Sequence, residues 1–502
     1  MQTITALSNS GVYIIGQKLS KQVFNVIHTS RTISAIMADQ KIASMQKYVM
    51  EVPTAVRGMQ DLRKEAFTTN VTLLALRVDA SKLSTIQRKV RLEKYLFKNL
   101  GRIKNIMNAD DSKHKLLLFD PNTLHENSVE LESLKSHIES LIKEHTGEIM
   151  LQWRPITLTV AFEDWDIRSI IKAVLPSDLD FSSYSQTGHI VHVNLRENLL
   201  PYKRIIGQIL LEKVSRCRTV VNKVDEIKSE YRNFELDLLA GVDDYVTETL
   251  EAGVRYRLDF SKVFWNSRLS HEHERVVKLF DRRSLVYDAC AGVGPFVLPA
   301  LKKGHASHAL ANDLNPESVR WLKENAVLNK IPSGKLEIYN SDAIEFIRGP
   351  FAEDLSREIR KAQSSEESPS GAHVVLNLPG FAVSFLPSFK GVLAKHLPAE
   401  ASHTFPVKVY CYLFAKAHKD VCDAWYEKRA LEMVREFLKE DEATVELVHH
   451  VRTVSSRKEM FCVQITLSWD LLTVTNPNPS LTRSISESDS DYGSSKRSKL
   501  SD

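Results

Sequence analysis

The chain has 502 residues, with 67 Lys and Arg against 63 Asp and Glu, a formal net charge of +4 and 43% apolar residues. That length exceeds one hydrophobic core and implies two or three domains. The near-balance of charge excludes a chain that is basic throughout, so a nucleic-acid surface must come from local clustering.

Residues 1–37 hold no Asp or Glu but carry Lys18, Lys21 and Arg31 among Ser, Thr and apolar residues. That composition predicts a mitochondrial targeting segment over 1–38. Met37, Met45 or Met50 would each start a shorter, non-mitochondrial form. An N-terminal domain is expected over 50–155. It has a strand in the apolar run 71–78 and a helix over 127–145 with Leu131, Leu134, Ile138 and Leu141 at helical spacing. A middle α+β domain is expected over 156–283. Its strands are expected at 156–160, 188–193, 219–224 and 254–260, and its helices at 167–174 and through Ile206, Ile209 and Leu210. Over 284–470, strands and helices alternate: strands at 286–287, 309–311, 336–339, 374–376 and 407–414, helices at 295–301, 316–329 and 421–438, and a closing strand pair at 445–454 and 459–467. Such alternation specifies an α/β fold with a mostly parallel, doubly wound sheet. The polar stretch 350–371 reads as a surface insertion. The Ser-rich tail 476–502 reads as disordered, with a short basic cluster at 496–499 that would serve as a nuclear signal.

Five cysteines lie far apart without a C-x-x-C pair, which argues against a disulfide framework or zinc site and for a reducing compartment. His271 and His273 alternate with Glu272 and Glu274 and lack the H-E-x-x-H spacing, so no metal is expected. No apolar run is long enough for a bilayer, and no membrane association is expected.

The central motif is Val286-Tyr287-Asp288-Ala289-Cys290-Ala291-Gly292-Val293-Gly294-Pro295-Phe296. A strand ends in a carboxylate, and a turn with two glycines opens a helix, where open parallel sheets bind ligands. A dinucleotide cradle would place three glycines as G-x-G-x-x-G, and that spacing is missing. An acidic residue before the turn suits a ligand with a positive amino group and no phosphates, as in S-adenosylmethionine. The following strands end in Asn312-Asp313, Ser341-Asp342-Ala343 and Asn377-Leu378-Pro379. These positions are expected to take the ribose hydroxyls, the adenine edge, and the methionine moiety or target base.

Together these residues resemble the tRNA (guanine-37, N1)-methyltransferases of archaea and eukaryotes, from about residue 52 to 467. The markers are Val56-Arg57-Gly58-Met59, Asn194-Leu195-Arg196, Tyr231-Arg232, Leu239-Ala240-Gly241, Phe264-Trp265-Asn266-Ser267-Arg268-Leu269, His273-Glu274-Arg275, the glycine turn, Asp313-Leu314-Asn315-Pro316 and Asn377-Leu378-Pro379. Gln60-Asp61-Leu62-Arg63 departs from the family, whose acid often follows the leucine. The stretch 350–371 is also long. The resemblance implies a class I methyltransferase domain preceded by a tRNA-recognition domain and a middle domain. It implies S-adenosylmethionine as methyl donor, held by His273, Arg275, Asp288, Gly292, Gly294, Asp313, Leu314, Asp342, Ala343, Asn377 and Pro379. The partner implied is tRNA carrying guanine at position 37.

Guanine N1 is protonated at neutral pH and must lose that proton to attack a methyl group. A base is needed near N1 and a cation or donor near O6. The resemblance gives these roles to Glu274 and Arg232, with Asn377 on the guanine edge or the methionine moiety. RNA phosphates are expected at Arg57, Lys64, Lys203, Arg204, Arg216, Arg218, Lys262 and the run Arg88-Lys89-Val90-Arg91 with Lys94. Two other readings stand beside this one: aminocarboxypropyl transfer to the same position in wybutosine synthesis, and a tRNA-binding protein without activity. A monomer is expected, since no coiled-coil pattern appears, and the addresses imply mitochondrial matrix, cytoplasm and nucleus.

Overall fold

A computed structural model describes residues 50–122, 131–147, 149–181, 183–224, 235–364, 368–397 and 405–475. The chain divides into two compact units, one up to Asp180 and one from Phe181.

The first unit is built on four antiparallel strands, β1 (Thr69–Asp79), β2 (Ile106–Asn108), β3 (His114–Leu118) and β4 (Gln152–Val160), in the order β2-β3-β1-β4. Leu74, Leu76 and Val78 alternate along β1 and point one way, as strand geometry requires. They bury against Ile86, Val90, Phe119, Ile138 and Ile142. The helix Leu131–Thr146 supplies Leu131, Ile138 and Ile142 to this core. Because β4 pairs with β1 along its whole length, the first unit runs past residue 155 to Asp180, beyond the sequence-based boundary.

The second unit begins with a small sheet, β5 (Ser185–Thr187), β6 (Ile190–Val193), β7 (Thr219–Val224) and β8 (Glu235–Gly241), in chain order. The helix Lys203–Lys213 makes the crossover between the parallel pair β6 and β7. A hairpin follows, β9 (Val246–Glu251) and β10 (Val254–Asp259). Its outer edge is closed by two asparagines of the helix Pro316–Leu328 and its C-cap. Arg257 N donates to Asn325 Oδ1 at 2.7 Å and Arg255 N donates to Asn329 Oδ1 at 3.0 Å. Both side-chain amides return a bond to the carbonyl of the same residue, as a neighbouring strand would.

The seven-stranded sheet follows: β11 (Ser284–Asp288), β12 (His308–Asn312), β13 (Leu336–Tyr339), β14 (Gly371–Leu376), β15 (Val407–Lys416), β16 (Ala443–Ser455) and β17 (Lys458–Leu467). The order is β13-β12-β11-β14-β15-β17-β16. The first five strands are parallel, and β17 and β16 are antiparallel. Both faces are covered by apolar residues. That explains why β11 and β14 read as buried runs rather than as alternating patterns.

The stretch 350–371 is not a surface insertion. Residues Ala352–Ser364 form a helix that carries the chain from β13 to β14. Phe351, Leu355, Ile359 and Ala362 recur at helical spacing and bury in the core. Glu353, Arg357 and Lys361 occupy the outer face, and they gave the segment its polar look. The N-terminal address, the tail and Arg232 lie outside the described residues. Among the described residues, no helix is long and apolar enough to cross a membrane.

Candidate active site

The parallel strands all end on one edge of the sheet, and the glycine turn sits at its centre. Asp288 closes β11 and is fully buried. Its Oδ1 accepts a bond from Cys290 N at 3.2 Å, while Oδ2 has no hydrogen-bond partner. Burial, with nearby Asp313 adding to it, pushes the carboxyl up to about 8. A buried carboxylate oxygen without a partner costs free energy, and a cationic ligand group would remove that cost.

Gly292 has φ +55°, and a Cβ built on it meets no atom within 4 Å, so the turn opens toward free space at that point. Gly294 has φ +94°, and its Cβ would come within 2.5 Å of Leu322. One glycine thus leaves room for a ligand and the other lets the turn pack on the helix Pro316–Leu328.

Asp313 follows β12. Its Oδ2 accepts from Gly292 N at 2.7 Å and Oδ1 from Asn315 N at 2.9 Å. The Ser318 hydroxyl also bonds this carboxylate, which keeps acceptor capacity for a ribose hydroxyl. Burial raises its pKa. Leu314, beside it, is 44% exposed, an apolar surface suited to an adenine ring. Asp342 caps the short helix after β13 through Ile344 N at 2.7 Å, and Ala343 is buried behind it. Asn377 and Pro379 lie partly exposed after β14. Asn312, named in the sequence only as a strand end beside Asp313, has a structural role of its own. This buried residue donates to Ala289 O and Ser341 O and accepts from Ser341 N at 3.0 Å. It ties the three loops that end β11, β12 and β13 into one rim.

The helix Ser270–Val277 packs over the same edge. Its 3.6-residue period turns Glu272, His273, Val276 and Val277 inward. Glu274 points outward. Its side chain is 41% exposed and pairs with Lys278 at 3.1 Å, which holds its carboxyl below the usual range. The acid that the resemblance implies as base thus faces away from the sheet, and the acid that faces the sheet is Glu272, 6% exposed. Glu272 Oε1 accepts from Tyr412 Oη at 2.8 Å and from Arg275 at 2.7 Å, and its Oε2 accepts from Arg275 Nε at 2.7 Å. The register of β14 against β15 pairs Leu376 with Cys411, so Tyr412 stands level with Asn377. Spacing alone does not separate the two acids, since Glu272 lies four residues before Val276 and Glu274 three before Val277; the packing of the helix does.

Two residues expected at the cofactor make contacts within the protein. His273 is buried, 2.7 Å from Glu251 of β9, with its ring against Phe296 at 4.9 Å, so it braces the glycine turn from behind. Arg275 is spent on Glu272. Of the basic residues proposed for RNA, Lys203, Arg218 and Lys262 pair with Asp237, Asp244 and Asp259, and Arg57 donates to Leu175 O.

A seven-stranded sheet in this order, with carboxylates at consecutive strand ends around a glycine turn, defines a class I methyltransferase. Known proteins agree. Residues 247–395 match the model of the TRM5/TYW2 methyltransferase domain, and residues 167–244 that of the TYW2 N-terminal domain. The tRNA (guanine(37)-N(1))-methyltransferase of Caenorhabditis elegans is 45% identical over 90% of this chain and 97% of its own. That of Drosophila melanogaster is 38% identical over 84% of this chain and 88% of its own. The crystal structure of Trm5b from Pyrococcus abyssi shares the fold, with a TM-score of 0.52 at 21% identity, covering 79% of this chain and 99% of that one. The chain belongs to the tRNA (guanine(37)-N(1))-methyltransferase family.

Proposed function

We propose that the chain methylates N1 of guanine 37 in tRNA, using S-adenosylmethionine held by Asp288, Gly292, Gly294, Asp313, Leu314, Asp342 and Ala343. The observation that carries the cofactor assignment is the buried, partnerless Asp288 Oδ2 beside the open face of Gly292. The bound cofactor supplies a methyl group already activated by its sulfonium. The protein then has to position the base and remove a proton. Glu272 takes the N1 proton, Asn377 holds the guanine edge, and Arg232 steadies O6 as negative charge develops there. The target base leaves the stack of the anticodon loop to reach the site. This reading includes a monomer and a mitochondrial address in residues 1–38, with shorter forms in cytoplasm and nucleus.

The matched domain model is named for both TRM5 and TYW2, while the relatives matched over most of their length are named as tRNA (guanine(37)-N(1))-methyltransferases; aminocarboxypropyl transfer to the same position is the second reading. The test is to incubate the protein with unmodified tRNA bearing guanine 37 and S-adenosylmethionine, digest the RNA and weigh its nucleosides. One added methyl at N1 is expected. An aminocarboxypropyl adduct would replace the reaction, and no adduct despite cofactor binding would remove it.

A further inference from the structure

Three side chains from three strands line up beneath Glu272. The register of β15, β17 and β16 sets Tyr412 opposite Cys462 and Cys462 opposite His449, so the three form a row across the sheet. Cross-strand partners present their side chains to the same face. Tyr412 and Cys462 are buried, and His449, on the edge strand, keeps 35% of its side chain exposed. His449 Nε2 lies 3.3 Å from Glu272 Oε2. Glu272, whose side chain is only 5% exposed, therefore touches a partly exposed imidazole.

A buried base must pass on the proton it takes, or it remains neutral after the first turnover. Tyr412 and Arg275 cannot take it. Tyr412 already donates its proton to Glu272, burial keeps that hydroxyl from ionising, and Arg275 carries no lone pair. Besides Glu272, the titratable or charged groups facing His449 are Arg275 on the helix, Tyr412 on β15, Cys462 on β17 and His450 on its own strand. Burial first and then the Arg275 charge hold His449 below its ordinary pKa, so it is neutral near pH 7 with one ring nitrogen able to accept.

We propose that His449 carries to solvent the proton that Glu272 removes from guanine N1, an inference that rests on Glu272 being the base. The N1–H bond breaks, its electron pair stays on N1 for the bond to the methyl carbon, and the proton goes to Oε2 of Glu272. The Oε2–H bond then breaks, Nε2 of His449 takes the proton, and Nδ1–H of the imidazolium releases one to water. His449 is a positioning and relay residue, not one that touches the guanine.

The test uses full-length His449→Ala and Glu272→Gln, each first shown by calorimetry to bind S-adenosylmethionine as the parent does. Multiple-turnover methylation of unmodified tRNA is then followed from pH 6 to 9, with and without added imidazole. For His449→Ala, a fall of about tenfold at neutral pH is expected, restored largely by imidazole. In addition, the His449 resonance of the parent should titrate at lower pH once Glu272→Gln removes the neighbouring negative charge. A His449→Ala rate equal to the parent's, or a loss that imidazole does not relieve, overturns the relay while leaving the base in place. A Glu272→Gln rate equal to the parent's overturns the base assignment, and the relay with it.

Discussion

At the scale of single residues, the glycine turn owes its properties to burial. Asp288 is held near pKa 8 by desolvation and by Asp313, so without a ligand it is mostly protonated at pH 7. The folded state then binds more protons than the unfolded chain between about pH 4 and pH 8, and stability from this group falls as pH rises through that window. Asp288→Asn is therefore expected to flatten the pH dependence of Tm in the cofactor-free protein, read by thermal melts from pH 5 to 8.5. A cation beside Oδ2 favours the charged form, so cofactor binding at pH 7 should release a proton from Asp288. Calorimetry in two buffers of different ionisation enthalpy measures that proton, and Asp288→Asn should abolish it and weaken binding about tenfold or more. A second pair of variants separates the two acids of the helix. Glu272→Gln is expected to lower the single-turnover rate ~100-fold or more, and Glu274→Gln to leave it within about twofold. Equal effects would mean that the inward turn of Glu272 carries no chemistry. Asp288, Gly292, Gly294 and Asp313 were legible in the sequence because strand ends and backbone freedom are local properties. The inward acid, Glu272, was not singled out because both acids lie within one turn of the helix, and only the packing of Val276 and Val277 says which face is inward.

At the scale of elements, most strands and helices of the seven-stranded sheet were legible, since burial on both faces leaves apolar runs of the right length. The misreading at 350–371 has a physical cause. A helix covered on one side needs few apolar residues, and Phe351, Leu355, Ile359 and Ala362 suffice when Glu353, Arg357, Arg360 and Lys361 fill the outer face. Ile359, 1% exposed in that core, makes the claim measurable. Ile359→Ala is expected to destabilise the protein by about 2–5 kcal/mol in denaturant melts, as at other buried aliphatic positions, whereas a surface insertion would tolerate it within ~0.5 kcal/mol. The hairpin β9–β10 was only half seen. Its second strand has an apolar alternation, but Val246–Glu251 turns Thr247, Thr249 and Glu251 inward and leaves Val246 and Leu250 exposed, so it lacks the usual strand signal. It exists as a strand because β10 pairs with it along its whole length, and β10 is held on its other edge by Asn325 and Asn329. No local signal marks an asparagine in a helix as a partner for a strand far upstream in the chain.

At the scale of the whole molecule, a net charge of +4 spread over 502 residues cannot by itself hold a polyanion, and the RNA surface has to be local. Pairing in the fold narrows the candidates. Lys203, Arg218 and Lys262 have carboxylate partners, and part of their charge is already neutralised. In the first unit, Arg88, Lys89, Arg91 and Lys94 are all exposed at the end of the helix Leu83–Lys89 and in the turn after it. Val90 and Leu92 between them are buried, so the backbone of the run is anchored while the four cations face outward. Lys94 also lies over the Tyr95 ring at 4.5 Å, which places a cation and an aromatic face side by side. If this unit holds tRNA through phosphates, each neutralised phosphate releases counterions and adds to the salt dependence of binding. Replacing all four by Gln is expected to reduce the slope of log Kd against log salt by about 0.7–0.9 for each phosphate that the variant no longer neutralises. It should raise KM for tRNA, with little change in the single-turnover rate at saturating tRNA. Cofactor affinity should be unchanged, because the proposed site for the donor draws on β11 to β14 and their loops. The measurement is a filter-binding titration at several salt concentrations beside calorimetry with S-adenosylmethionine. An unchanged salt slope would move phosphate binding elsewhere on the chain, and a fall in cofactor affinity would mean that the two units do not divide the work in this way.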